Sequence, residues 1–278
     1  MELFFRKLGQ GTQKLVILHG LYGSSDNWMT LGRKLSETRE VYLVDLRNHG
    51  RSFHDSEHSY DAMVADLAWF LETEGLNRIC LLGHSMGGKV AIKFAAEYPD
   101  KIEKLIVADI APKNYLLLGK DASQYTFHQS IIDGMLALHP ETCKSLKDVE
   151  ARMTSFAPEP SLRHFLMKNI AKEKQDGYHW RINAPVLKHW LKVIIGGVDY
   201  SDLSKYAPYS AYPVLFLRGG NSPYIQDNDI PLLKSLYTSL RVELIPEAGH
   251  WLHAEQPQLF FTKVTEFLRA RSYELTSF

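Results

Sequence analysis

Apolar residues along the chain fall into short, almost unbroken runs separated by stretches in which they recur every three to four positions. Lys14 to His19 reads as a buried strand, Trp28 to Ser36 as a helix, and Val41 to Leu46 as a second strand that ends in the turn Arg47-Asn48-His49-Gly50. Ser59 can cap a helix carrying Met63, Leu67, Phe70 and Leu71 at helical spacing until Gly75 stops it. A third strand, Arg78 to Leu82, a helix to Tyr98-Pro99 and a fourth strand, Leu105 to Asp109, follow. Strands this apolar are covered on both faces, so the pattern predicts an α/β fold with a mostly parallel sheet between helices.

The alternation stops after Ala111-Pro112. From Asn114 to about Lys205 the spacing is helical throughout, with stops at Gly134, Pro140, Pro158 and Gly196-Gly197. Strand signal returns at Pro213 to Leu217 and at Arg241 to Ile245, and a helix from about Pro257 to Arg271 closes the pattern. The expected organisation is a core in two segments, residues 1–112 and 207–278, with an inserted helical cap at 113–206.

Composition narrows the function classes. In 278 residues, 45% are hydrophobic, enough for a packed interior, and 32 basic side chains balance 32 acidic ones. A neutral chain has no global attraction for polyanions, so nucleic acid is not an expected partner. No apolar run is long enough to insert in a membrane, and the first residues carry no secretory pattern. Cys80 and Cys143 lack metal-ligand spacing, and Cys80 lies inside a strand. The expected location is the cytoplasm.

The segment Gly83-His84-Ser85-Met86-Gly87-Gly88 links a strand directly to a helix and has the Gly-x-Ser-x-Gly form of a nucleophile elbow. A serine on so sharp a turn is held exposed at the strand end, and side chains two residues either side of it would collide, which explains Gly83 and Gly87. Each glycine in a helix costs about 0.5–1 kcal/mol relative to alanine, so the cluster points to close backbone approach. A serine hydroxyl needs a base to accept its proton. His250, in the Gly-His turn after the last strand, can reach back over the sheet, with His253 as its nearest rival, read as a surface or capping residue.

With His19-Gly20-Leu21-Tyr22-Gly23, Asp45 to Ser52, the elbow and Gly249-His250-Trp251-Leu252-His253 each placed just after a strand, the chain resembles the α/β-hydrolase-fold serine esterases. The tract Leu105 to Pro112 and the loop Arg218-Gly219-Gly220-Asn221-Ser222-Pro223-Tyr224 are most similar to the small YbfF-type bacterial esterases. The resemblance implies a Ser-His-Asp triad with Ser85 as nucleophile and His250 as base. Many relatives carry the acid after the penultimate strand, where this chain has Ser222, which cannot hold a negative charge. The YbfF-type pattern places it after the strand following the elbow, at Asp109, with Asp227 and Asp229 as the alternatives. Two backbone N–H groups, of Leu21 and Met86, are expected to form the oxyanion hole. Tyr22 is placed to border the pocket, and the Asp45 to Ser52 turn is assigned to structure.

The expected activity is hydrolysis of a small-molecule carboxylic ester or acyl thioester, acyl-CoA included, through an acyl-serine. Leu116, Leu117, Leu118, Met135, Leu136, Leu138, Phe165, Trp180 and Trp190 of the cap are candidates for an acyl pocket or for cap core. No metal or cofactor is expected, since the sequence has no HExxH, dinucleotide or P-loop pattern. A carbon–carbon lyase of the menaquinone-pathway type and a non-catalytic receptor with a hydrolase pocket remain as rival readings.

Overall fold

The structure, a computed structural model, describes residues 2–116, 122–173, 177–205 and 207–270. Its central sheet holds seven strands: β1 (Phe5–Leu8), β2 (Lys14–Leu18), β3 (Glu40–Val44), β4 (Ile79–His84), β5 (Ile102–Ala108), β8 (Val214–Gly219) and β9 (Leu240–Ile245). Their spatial order is β1-β3-β2-β4-β5-β8-β9. All pairings are parallel except that of β1 with β3.

The inner strands are buried on both faces, which is why β2, β4, β5 and β8 are apolar at most positions. Val16, Leu81, Val107 and Phe216 point to the layer containing α2 (Tyr60–Thr73) and α3 (Met86–Glu97). Ile17, Leu43, Leu82, Ile106 and Leu215 point the other way, toward α1 (Met29–Leu35) and α11 (Pro257–Arg269). Two adjacent strand residues thus serve two separate cores.

Between β5 and β8 lie α4 (Ala122–Ala137), α5 (Leu146–Met153), α6 (Pro160–Met167), α7 (Ala184–Gly196) and α8 (Tyr200–Ser204). The all-helical reading of this stretch is corrected by an antiparallel hairpin, β6 (Ile170–Glu173) with β7 (Gly177–Trp180), registered Ile170 to Trp180 and Glu173 to Gly177. Four-residue strands are too short for periodicity to separate them from a helical turn. β1 was also absent from the sequence pattern. It is a charged edge strand, Arg6 pairing with Asp26 and Lys7 with Glu40, and burial does not stripe it. The remaining helices are α9 (Ile230–Leu236), after β8, and α10 (Leu252–Glu255), after β9.

The insertion is fastened to the loops at the carboxyl edge of the sheet. Asn169 donates from Nδ2 to the carbonyl of Tyr22 (2.6 Å), and Trp190 from Nε1 to that of Ser56 (2.8 Å). Asn183 joins it to Asn48 through both backbone and side chain. No described helix is long and apolar enough to cross a membrane.

Candidate active site

Ser85 stands between β4 and α3 with φ 53° and ψ −119°, a left-handed conformation that a non-glycine residue adopts only when its surroundings impose it. The imposition is steric and hydrogen-bonded. Ser85 N donates to the carbonyl of Ala108 at 3.0 Å, tying the turn to β5. A Cβ on Gly87 would come within 2.5 Å of the carbonyl oxygen of His19, and one on Gly83 would strike the backbone of Gly87. The elbow therefore requires glycine at both positions, as the sequence indicates.

His250 follows β9 and brings Nε2 to 3.0 Å from Ser85 Oγ. Its Nδ1 lies 2.8 Å from Oδ2 of Asp109, the residue immediately after β5. The structure thus assembles Ser85, His250 and Asp109 into one hydrogen-bonded chain from three strand ends. Asp109, itself at φ 50°, is wholly buried. Its Oδ1 accepts from the backbone N–H of Gly219 (3.0 Å), and Oδ2 also accepts from the hydroxyl of Ser222. Donors on both oxygens replace water around a charge that burial alone would penalise.

The alternatives for the acid are engaged elsewhere. Asp227 is exposed and pairs with Arg218 at 2.6 Å. Asp229 pairs with Lys113 at 2.9 Å and accepts from the N–H of Gln226. His253 is not the surface residue expected. It is buried, with its ring stacked on Trp28 at 4.2 Å and 8°, because α10 turns it inward beneath the site.

Supports for His250 were not evident in the sequence. His84 donates from Nε2 to the carbonyl of His250 (2.9 Å), fixing its backbone. Burial and the imidazoles of His253 and His250 hold His84 well below the usual histidine range, so it is neutral. Tyr224 stacks on the His250 ring at 4.0 Å and 21°. The Tyr224 hydroxyl in turn donates to Oε1 of Gln124 (2.6 Å), linking the base to α4.

Leu21 and Met86 both line the small cavity at Ser85, which has a volume of about 20 Å³. Its other walls include Tyr60 and Lys89 from the core and Gln124, His128, Ile194 and Ile195 from the insertion. Lys89, one helical turn beyond Ser85, is buried, and its ammonium donates to the carbonyls of Lys113 (2.9 Å), Ile195 (3.3 Å) and Gly197 (2.5 Å). Only a residue with three donors can serve three carbonyls at once.

The expected acyl-pocket candidates do not form this cavity. Met135 and Leu138 are core of the insertion, Trp180 donates to the carbonyl of Met135 (3.1 Å), and Phe165 packs on Trp251. Leu136 packs against the same core, Leu116 is partly exposed, and Trp190 is taken up by Ser56. Leu117 and Leu118 lie outside the described residues. Tyr22 does not line the cavity either: its hydroxyl donates to the carbonyl of His128 at 2.9 Å. The Asp45 to Ser52 turn is structural as read, with Asp45 accepting from the N–H groups of Ser25 and Arg51, and Arg47 bidentate on Asp66. Among the described residues there is no cluster of metal-ligating side chains.

Comparison with known proteins agrees with this architecture. The chain is 36% identical over 260 residues to mouse (Mus musculus) sn-1-specific diacylglycerol lipase ABHD11, covering 91% of this chain and 80% of that protein. It is 33% identical over 254 residues to esterase YbfF of Escherichia coli, covering 91% and 92% respectively. Among solved structures, a marine microorganism esterase superposes with a TM-score of 0.87 at 41% identity, over 96% of this chain and 99% of the other. With the family profile for the alpha/beta hydrolase fold matching residues 14–257, the chain belongs to the α/β-hydrolase fold family.

Proposed function

We propose that the protein cleaves carboxylic esters and acyl thioesters through an acyl-enzyme formed on Ser85. At the level of class it is a carboxylic ester hydrolase, in keeping with its esterase and lipase relatives. The observation that carries the mechanism is the unbroken path Ser85 Oγ to His250 Nε2 (3.0 Å) and His250 Nδ1 to Asp109 Oδ2 (2.8 Å).

Ser85 Oγ attacks the carbonyl carbon while His250 Nε2 takes the hydroxyl proton. The carbonyl π electrons move onto oxygen, and the N–H groups of Leu21 and Met86 hold that oxyanion. Met86 opens α3, where the first N–H groups have no partner within the helix and the dipole favours negative charge. Collapse expels the alcohol or thiol, which receives its proton from His250. Water, deprotonated by the same imidazole, then attacks the acyl-serine and releases the carboxylic acid. Asp109 keeps Nδ1 protonated and stabilises the imidazolium present in both transition states. No step calls for a cofactor.

In this reading residues 1–112 and 207–278 supply the reacting groups, and residues 113–206 act as a cap that completes the cavity through Gln124, His128, Ile194 and Ile195. Two cysteines, both free and buried, suit the reducing cytoplasm.

A fluorophosphonate probe tests the central claim. One equivalent attached to Ser85, absent in Ser85→Ala, together with multiple turnovers of aryl esters, is the expected result. Binding without turnover would leave the receptor reading standing. Turnover of the lyase substrate but not of esters would favour the lyase.

A further inference from the structure

A second cavity is far larger than the one at Ser85. It is a groove of about 680 Å³ between the amino-terminal end of α2 and the carboxyl-terminal end of α3 on one side and α7 and α8 on the other, lined by Ala96, Val193, Val198 and Leu203 together with Asp61 and Lys93. The groove and the 20 Å³ cavity at Ser85 share one side chain, Tyr60.

We infer that Tyr60 is the partition that ends the acyl pocket and restricts the enzyme to short acyl chains. This rests on Ser85 being the nucleophile. Tyr60 is buried, and its hydroxyl donates to the carbonyl of Ile194 at 2.8 Å, so the ring is pinned at both ends, by α2 and by α7. The ring lies against Gly197, where a Cβ would come within 2.8 Å of Cδ2 and 3.0 Å of Cε2. Any other residue at 197 would displace the ring.

The other side of the partition is equally fixed. Lys89 holds the carbonyls of Ile195 and Gly197, and the next residue, Val198, is in the left-handed region at φ 57°. A β-branched residue accepts that conformation only under constraint. The segment 195–198 is thus latched to α3 one turn from the nucleophile, with the tyrosine ring filling the space between the pocket and the groove. A cavity of 20 Å³ has room for about one water-sized group, which suits an acetyl tail better than a longer one. Beyond the ring there is space for a long chain along Val193 and Val198.

The test is a p-nitrophenyl ester series from acetate to decanoate, with the probe stoichiometry at Ser85 measured on the same preparations. The native enzyme is expected to fall in kcat/KM beyond butyrate. Tyr60→Ala should move the optimum to octanoate or longer, raising the octanoate-to-butyrate ratio at least tenfold, since each methylene newly buried is worth about fourfold. Tyr60→Leu, which retains an apolar side chain in the fold, should shift it partway. Adding Val193→Trp to either variant should fill the groove and reverse the gain. Full probe labelling with an unchanged chain-length profile in both variants, or a native enzyme that prefers long chains, overturns the role of Tyr60. Absence of labelling in the native enzyme would instead overturn the nucleophile.

Discussion

The hydroxyl of Ser222 donates to Oδ2 of Asp109, the same carboxylate oxygen that meets Nδ1 of His250. Ser222 lies in the loop after β8, so that loop contributes a donor to the carboxylate of Asp109. The serine then orients and solvates the carboxylate rather than supplying it. Ser222→Ala is expected to lower kcat about tenfold, the loss of one hydrogen bond to a charged group, with KM little changed. Steady-state kinetics checks this. An unchanged kcat would mean that Gly219 N–H alone holds the carboxylate.

Removing the charge at Asp109 should cost far more. Asp109→Asn preserves the shape but favours the wrong imidazole tautomer, and a loss in kcat of up to about 10⁴-fold is expected. Asp227→Asn breaks only an exposed pair with Arg218 and should stay near the native rate. Measuring both variants on one aryl ester separates the two positions. The reverse ranking would move the acid to the β8 loop.

Ser85 and Asp109 were legible in the sequence because β4 and β5 are buried along almost their whole length and each residue directly follows its strand, whereas His250 follows β9, a half-buried edge strand, and was marked only by its Gly-His turn. The cavity walls were not legible. Nothing in the local pattern marks Tyr60 or Lys89, yet one lines both cavities and the other is buried against three carbonyls. Their roles depend on where α7 lies over α2 and α3, which no local pattern encodes. His253 misled for the same reason: its burial comes from the stack on Trp28, more than two hundred residues away.

The elbow makes a stability prediction distinct from the catalytic ones. Gly87→Ala places a Cβ 2.5 Å from the carbonyl oxygen of His19 and 2.7 Å from that of Leu18. Both are backbone atoms at the end of β2, which cannot swing aside as a side chain would. The first turn of α3 and the end of β2 must separate locally, and the expected cost is at least about 2 kcal/mol, in the upper range for a single substitution. Urea unfolding should show a lower midpoint, and fluorophosphonate labelling should slow because the elbow no longer presents Ser85. A variant as stable as the native protein would mean that the strand ends are more pliant than their packing indicates.

Buried histidines predict how stability changes with pH. His58, His128 and His253 are each pushed down to about 3 by burial, and His49 and His84 are also well below the usual range. In the folded protein they stay neutral, whereas in the unfolded chain they take up protons near pH 6.5. Between about pH 3 and 6.5 the unfolded state therefore binds more protons, and stability falls as pH is lowered through that window. Each histidine contributes at most about 1.4 kcal/mol per pH unit, so several acting together should make the protein acid-labile well above the carboxylate range. Urea unfolding at pH 7.5, 6.0 and 5.0 should give a steep decline. His253→Phe, which retains an aromatic ring to stack on Trp28 and cannot be protonated, should reduce that slope by about one proton. A decline of native steepness in this variant would show that His253 is already protonated in the folded state.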